Sequence, residues 1–342
     1  MGAVVVLRTK AGELEAAGRE DWGRENGPTA VVELLDSLSA EGGRVLPMLV
    51  KAGTLMVERG RPPWVDARLL GAGNSVARHP GGPLVLLDEL IEAELGLLAP
   101  DVPCLVPVLS DSPSERDLRG VALLRGRRDR EVAVRVRGLD RPPGHIRDRV
   151  RRVVAAVGGA VHVVLDVGFV DAARPVRAER VVDLVSALEV GQVSTTLLAG
   201  SIPAKRTDYA TSVRDRAEVE LWERVSAEVD VRYGDYGVVH PNPPAVGASH
   251  GRNPFPFLHY TVERRTVSLR RKPRSDTAGA AAEAFGELAE ELLARQDFAG
   301  AEFSWGDREL RECGQGRAAG AVPRWVAMAT SHHLAHVAGG RL

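Results

Sequence analysis

Eight short runs rich in β-branched residues recur at roughly 20- to 40-residue intervals, most of them separated by helix-like stretches. They are Ala3–Arg8, Val45–Val50, Trp64–Leu69, Cys104–Leu109, Val132–Arg137, Val161–Val167, Val193–Ala199 and Val231–Val239. Strands that alternate with helices build βαβ units and a parallel sheet, and eight within roughly 250 residues match a closed (β/α)8 barrel. The expected fold is therefore an α/β, TIM-like barrel over residues 1–242. A barrel of this kind puts its chemistry at the C-terminal ends of its strands.

The spacers predict helices at Gly12–Arg19, Thr29–Ala40, Leu84–Leu97, Ser114–Leu124, Pro143–Val157, Pro175–Leu188 and Ser212–Glu228. Pro143 and Pro175 suit a first helical turn, and Thr29 and Ser212 suit N-caps. The pattern changes after the eighth run. His240-Pro241-Asn242-Pro243-Pro244 can extend neither strand nor helix, and Gly247–Pro256 reads as a loop. Phe257–Glu263 and Thr266–Lys272 then read as a hairpin, followed by helices over Ala278–Arg295 and about Trp325–Val337. Residues 243–342 are expected to form a hairpin-plus-helix extension packed on the barrel.

A strand buried on both faces should be apolar, so a charge inside one needs a partner or a function. Asp66, Arg135, Asp166 and Asp235 interrupt the third, fifth, sixth and eighth runs. An unpaired buried carboxylate costs several kcal/mol. Either these residues form an ion-pair network that closes the barrel layers, or they make a polar site at the strand ends. In the second case an Arg cradled by carboxylates suits acid–base work or the binding of a phosphate or carboxylate. Lys10 and Glu13 follow the first strand and would reach the rim. Gly200 and Ser201 after the seventh run and Gly234 in the eighth would bring backbone N–H groups to where many barrels hold phosphate, with Tyr236 beside them as a further ligand-binding candidate.

Other constellations say less. His332, His333 and His336 form HHxxH, whose i and i+4 members share a helical face, but His333 stands where a zinc protease keeps its glutamate. No metal site is expected. GxxxxGK[ST], GxGxxG and Gly-x-Ser-x-Gly motifs are missing, so no cofactor and no nucleophilic mechanism can be named. Arg270, Arg271, Lys272 and Arg274 make the strongest basic cluster, either a partner-binding patch or a solvated hairpin end.

Balanced charge, 45 basic against 46 acidic residues, gives no global field for a polyanion and argues against non-specific nucleic-acid binding. The two cysteines supply no disulfide framework. Neither an export signal nor a run of 18 apolar residues is present, so a cytoplasmic chain that crosses no membrane is expected.

The stretch Val5-Val6-Leu7-Arg8-Thr9-Lys10-Ala11-Gly12-Glu13-Leu14 resembles the start of the phage beta-protein family. The resemblance continues in order through Asp66, Arg135, Leu165-Asp166, Ala199-Gly200-Ser201-Ile202-Pro203 and Tyr233-Gly234-Asp235-Tyr236-Gly237. Arg216-Ala217-Glu218 with Leu221-Trp222, and Trp325 followed by His332-His333-Leu334, resemble its later motifs. It implies a barrel-like cytoplasmic protein associated with mobile elements and phage–host conflict, with no established reaction. One departure stands out: Lys51 follows the second run where family members tend to place an acidic residue. Two function classes follow. One is a recognition barrel for a phage-derived partner or small anionic ligand; the other is a hydrolase or other acid/base enzyme, with Asp166 or Asp235 as acid/base and Arg135 as anion clamp.

Overall fold

The computed structural model describes residues 2–96, 102–188, 193–204, 209–243, 255–275 and 277–342. Leu97 of the third expected helix, Pro244, and residues 247–254 of the expected loop lie outside them.

Eight parallel strands close into a barrel. In spatial order they are β1 (Val4–Arg8), β2 (Thr29–Glu33), β3 (Trp64–Asp66), β4 (Val106–Ser110), β5 (Val132–Val136), β6 (Val161–Phe169), β7 (Val193–Gly200) and β9 (Arg232–Asp235). The ring is sealed where Val4 and Val5 of β1 pair with Gly234 and Asp235 of β9. Gly234 is required at this seam, since a Cβ there would lie 2.9 Å from Thr196 Cγ2. The intervening helices are α1 (Ala11–Ala17), α2 (Val45–Glu58), α3 (Pro83–Leu95), α4 (Glu115–Arg127), α5 (Pro143–Val157), α6 (Ala178–Leu188) and α7 (Ala217–Ser226). Ser114 caps α4 in a reciprocal capping box with Asp117.

Three sequence expectations are corrected. Thr29–Ala40 is not a helix: its first five residues are β2, paired along their length with β1. Val45–Val50 is not the second strand but the start of α2, where Pro47 falls in the first turn and its missing N–H costs no helical bond. Ser212–Glu228 is split, because Ser212–Asp215 is a strand, β8, and only Ala217 onward is helical.

β8 belongs to a second sheet. It pairs antiparallel with β11 (Arg265–Arg270), which pairs with β10 (Phe257–Val262) in the expected hairpin. Helices α8 (Ala278–Leu293), α9 (Trp305–Gly314) and α10 (Val322–Ala338) complete the chain. A separate core of Leu258, Tyr260, Val267, Leu269, Phe285 and Trp325 holds this layer together. Helix α10 also packs on the barrel, with Leu334 and Val337 joining the cluster around Val5, Leu7 and Leu14. The approach of α10 to α1 is close enough that a Cβ on Gly12 would lie 2.3 Å from the Pro323 carbonyl oxygen. No helix among the described residues is long and apolar enough to cross a membrane.

The strand alternation places the charges. Val4, Val6, Val31, Trp64, Val106, Val108, Ala133, Val164 and Leu198 form the cluster inside the ring, while Val5, Leu7, Val32, Val134 and Leu165 join the clusters that include helix residues. Side chains on a strand repeat with period two. One step beyond the apolar inward residues come Arg8, Glu33, Asp66, Arg135 and Asp166, a polar layer at the C-terminal end.

Candidate functional site at the barrel mouth

Arg135 sits at the centre of that layer, essentially without solvent exposure. Its Nη1 donates to Glu33 Oε1 at 2.9 Å and Asp66 Oδ2 at 2.8 Å, its Nε to Asp166 Oδ2 at 2.9 Å, and its Nη2 to the Tyr236 hydroxyl at 2.6 Å. The Tyr236 hydroxyl in turn donates a hydrogen bond to Asp166 Oδ1 at 2.7 Å, closing a ring of bonds across the barrel. Arg8 donates through Nε to Glu33 Oε2 at 3.0 Å and through Nη2 to the Pro241 carbonyl at 2.6 Å, which pins the loop after β9 over the strand ends.

Burial acts to raise the Asp166 and Glu33 carboxyls, yet both are held below the usual carboxylate range. Arg135, Arg137 and the Tyr236 hydrogen bond outweigh burial at Asp166; Arg135, Arg8 and Arg68 do so at Glu33. Burial drives Tyr236 upward, so its hydroxyl stays protonated. The layer is thus ionised, paired and closed.

Two arginines lie above it, half-exposed. Arg68 Nε contacts Asp66 Oδ2 at 2.9 Å and its Nη2 donates to Glu33 Oε1 at 3.0 Å. Arg137 donates through Nε to Asp166 and through Nη2 to the Tyr236 hydroxyl at 2.9 Å. Among the described residues, neither Nη1 meets an acceptor. Arg8, Arg68, Arg135 and Arg137 thus face Glu33, Asp66 and Asp166, leaving one excess positive charge at the mouth.

The expected site residues divide. Asp66, Arg135, Asp166 and Tyr236 come together. Asp235 does not join them: it points outward, its Oδ2 accepting from Arg216 Nη2 at 2.9 Å and the Tyr233 hydroxyl at 2.8 Å. Its Oδ1 receives Gly237 N at 2.9 Å and lies 3.1 Å from His333 Nε2 of α10. Burial works against ionisation here too, but His333, Arg216 and the Gly237 amide hold Asp235 far below its ordinary range.

Lys10 and Glu13 flank the end of β1. Glu13 is buried, its Oε2 accepts the Arg8 amide at 2.9 Å, its Oε1 has no partner, and desolvation pushes it up to about 7. Gly200 is needed for contact, because a Cβ there would lie 3.0 Å from Pro241 Cγ and 3.2 Å from the Tyr236 side chain. Ser201 follows it, half-buried.

The basic cluster is largely neutralised. Arg271 bridges Glu287 at 2.7 Å and Glu291 at 3.0 Å, Arg274 meets Glu287 at 2.6 Å, and the Arg270 guanidinium lies over Tyr209, 4.6 Å from the ring centre. Lys272 is exposed. The HHxxH histidines are buried in α10, with His332 between Asp307 at 2.8 Å and the Thr261 carbonyl at 2.7 Å. Burial and the neighbouring His332 and His333 push His336 down to about 3.

Sequence reasoning passed over Arg8, Glu33, Arg68, Arg137, Arg216 and the role of His333. Glu33 supplies the acid that Lys51 does not: the second strand does end in an acidic residue, and eleven residues of loop separate it from the start of α2 at Val45. The model of the Beta protein family matches residues 4–339. The chain is a member of the Beta protein family. None of the curated proteins matches it significantly. The family match runs through the barrel and the C-terminal layer of this Beta protein member alike, and the paired network described above links the two.

Proposed function

We propose that this Beta protein family member is a cytoplasmic recognition barrel of a phage–host conflict system, binding a small anionic ligand, free or presented by a phage-derived partner, at the mouth. The observation that carries the reading is the pair Arg68 and Arg137, half-exposed over a layer whose carboxylates are already occupied, each with an Nη1 that meets no acceptor among the described residues. Guanidinium groups with spare donors suit phosphate or carboxylate. The family resemblance supports the phage–host setting. Balanced charge and the neutralised hairpin cluster speak against non-specific binding of nucleic acid.

Inorganic phosphate is the first probe. It should raise the melting temperature of the full chain, and Arg68→Gln with Arg137→Gln should abolish that rise. An equal rise in the double variant would overturn the reading. Mass spectrometry of the denatured protein would identify any co-purified anion.

The second reading is an acid/base enzyme acting on a phosphate- or carboxylate-bearing substrate. Asp166 and Asp235 serve it poorly, since their many donors keep them ionised well below neutral pH. Glu13 favours it, because its carboxyl titrates near 7 and keeps one oxygen without a partner. Turnover of a phosphate ester or carboxylate ester that is lost in Glu13→Gln would promote this reading over simple recognition.

A further inference from the structure

Beside the mouth, a cavity of about 310 Å³ lies between the end of β1 and the loops after β7 and β9 on one side and β10 with α10 on the other. Its walls are mostly apolar: Ile202, Val238, Leu258, Val326 and Ala329 line it. Two cations line it as well, Arg8 and Lys10. Arg8 is almost wholly buried, and with Nε on Glu33 and Nη2 on Pro241 its Nη1 has no partner among the described residues. Lys10 is half-buried, and its ammonium makes no hydrogen bond or ion pair with any described residue. His240, also in the lining, has Nδ1 2.8 Å from the Ile202 carbonyl, so Nδ1 is the donor, and Nε2 makes no hydrogen bond among the described residues.

We propose that this cavity binds a small organic acid, its carboxylate held by Lys10 and Arg8 and its apolar body lying against Val238, Leu258 and Val326. The site is separate from the Arg68–Arg137 pair and stands whether or not that pair binds anions. Three observations narrow the ligand class. Its volume is at the lower end of small-molecule sites, which such ligands largely fill. Its apolar walls gain nothing from a bare phosphate, which would leave them wet. Its two cations gain nothing from a neutral hydrocarbon, which would strip them of water without replacing it. A charged head on an apolar body satisfies both halves. Desolvation lowers Lys10 from its ordinary value, with Arg8 adding to the effect and Glu13 opposing it, as fits an ammonium lacking a counterion.

The test is isothermal titration of the full chain with hexanoate, using 1-hexanol and inorganic phosphate as comparators. Hexanoate should bind at least about tenfold more tightly than 1-hexanol, the scale of one charge-assisted hydrogen bond. Lys10→Met should weaken hexanoate by about tenfold or more, and Lys10→Arg should restore much of it. Val326→Trp should block hexanoate while leaving the phosphate-induced rise in melting temperature in place. Conversely, Arg68→Gln with Arg137→Gln should leave hexanoate binding intact, which separates this site from the mouth. Lys10 should also be the lysine that hexanoate shields from trinitrobenzenesulfonate, read by peptide mapping. Equal affinity for hexanoate and 1-hexanol, or an unchanged hexanoate affinity in a folded Lys10→Met protein, overturns the proposal.

Discussion

The layer around Arg135 and the cluster around Asp235 are both buried ionic networks at the same end of the barrel, yet they are built for different neighbours. Arg135 gathers carboxylates from β2, β3 and β6, and the network opens upward through Arg68 and Arg137. Asp235 points the other way, to Arg216 just before α7 and His333 of α10. Asp235 and Tyr236 are adjacent in sequence, and each contributes to a different network. One step along a strand turns a side chain to the opposite face. The first network therefore furnishes a mouth, and the second fastens the C-terminal layer to the barrel.

Arg135→Met should be the most damaging single change. It strips Glu33, Asp66 and Asp166 of their shared counterion, a loss on the order of 3–5 kcal/mol in urea unfolding. A loss under about 1 kcal/mol would show that Arg8, Arg68 and Arg137 suffice to neutralise the layer.

Next comes Asp235→Asn, at about 2–3 kcal/mol, with phosphate and hexanoate binding retained. A double-mutant cycle with His333→Ala should give a coupling of about 1 kcal/mol or more. Because the folded-state value of Asp235 is depressed, its stabilising effect is complete above the ordinary carboxylate range and is lost as pH falls below it. Additive effects of the two substitutions would break the claim that this pair joins the two layers.

Glu13 supplies the contrasting case, a buried carboxyl with too few donors. Its folded value, raised to about 7, means that it stabilises the protein below the unfolded value and ceases to as pH rises through 7. Glu13→Gln should therefore match the parent at pH 4 and exceed it by about 2–3 kcal/mol near pH 8.5, measured by denaturant melts at both pH values. The smallest effect on stability belongs to Arg68→Gln with Arg137→Gln, within about 1 kcal/mol because both groups are half-exposed, despite the expected loss of phosphate binding.

The barrel was legible because seven of its strands carry β-branched runs at helix-length intervals. The second strand was not. Thr29-Ala30-Val31-Val32-Glu33-Leu34-Leu35 and Val45-Leu46-Pro47-Met48-Leu49-Val50 are both short apolar runs, and periodicity cannot separate a buried strand from a buried helix at that length. Exchanging the two hid Glu33, which otherwise shows the same signal as Asp66, an acid ending an apolar strand. Arg135 and Asp166 were recognisable as charges that interrupt strands. That Asp235 faces away from them depends on the inward register, which only the closed ring fixes. Arg216 and His333 were hidden for another reason: their partner lies on a different element, and nothing local in either segment announces it.

The seating of α10 against α1 bears on how the molecule can assemble. The first strand and first helix find their outer cover in a segment that comes, in chain order, after the whole hairpin layer. A chain growing from its N-terminus can cover Leu7 and Leu14 early with α2, but leaves the face of α1 at Gly12 without its cover until that late helix arrives. Such long-range closure is slow, because loop entropy is spent before the contact rewards it. The oldest part of the nascent barrel is the last to be sheltered, which makes this seam the place where aggregation and chaperone capture should compete with folding.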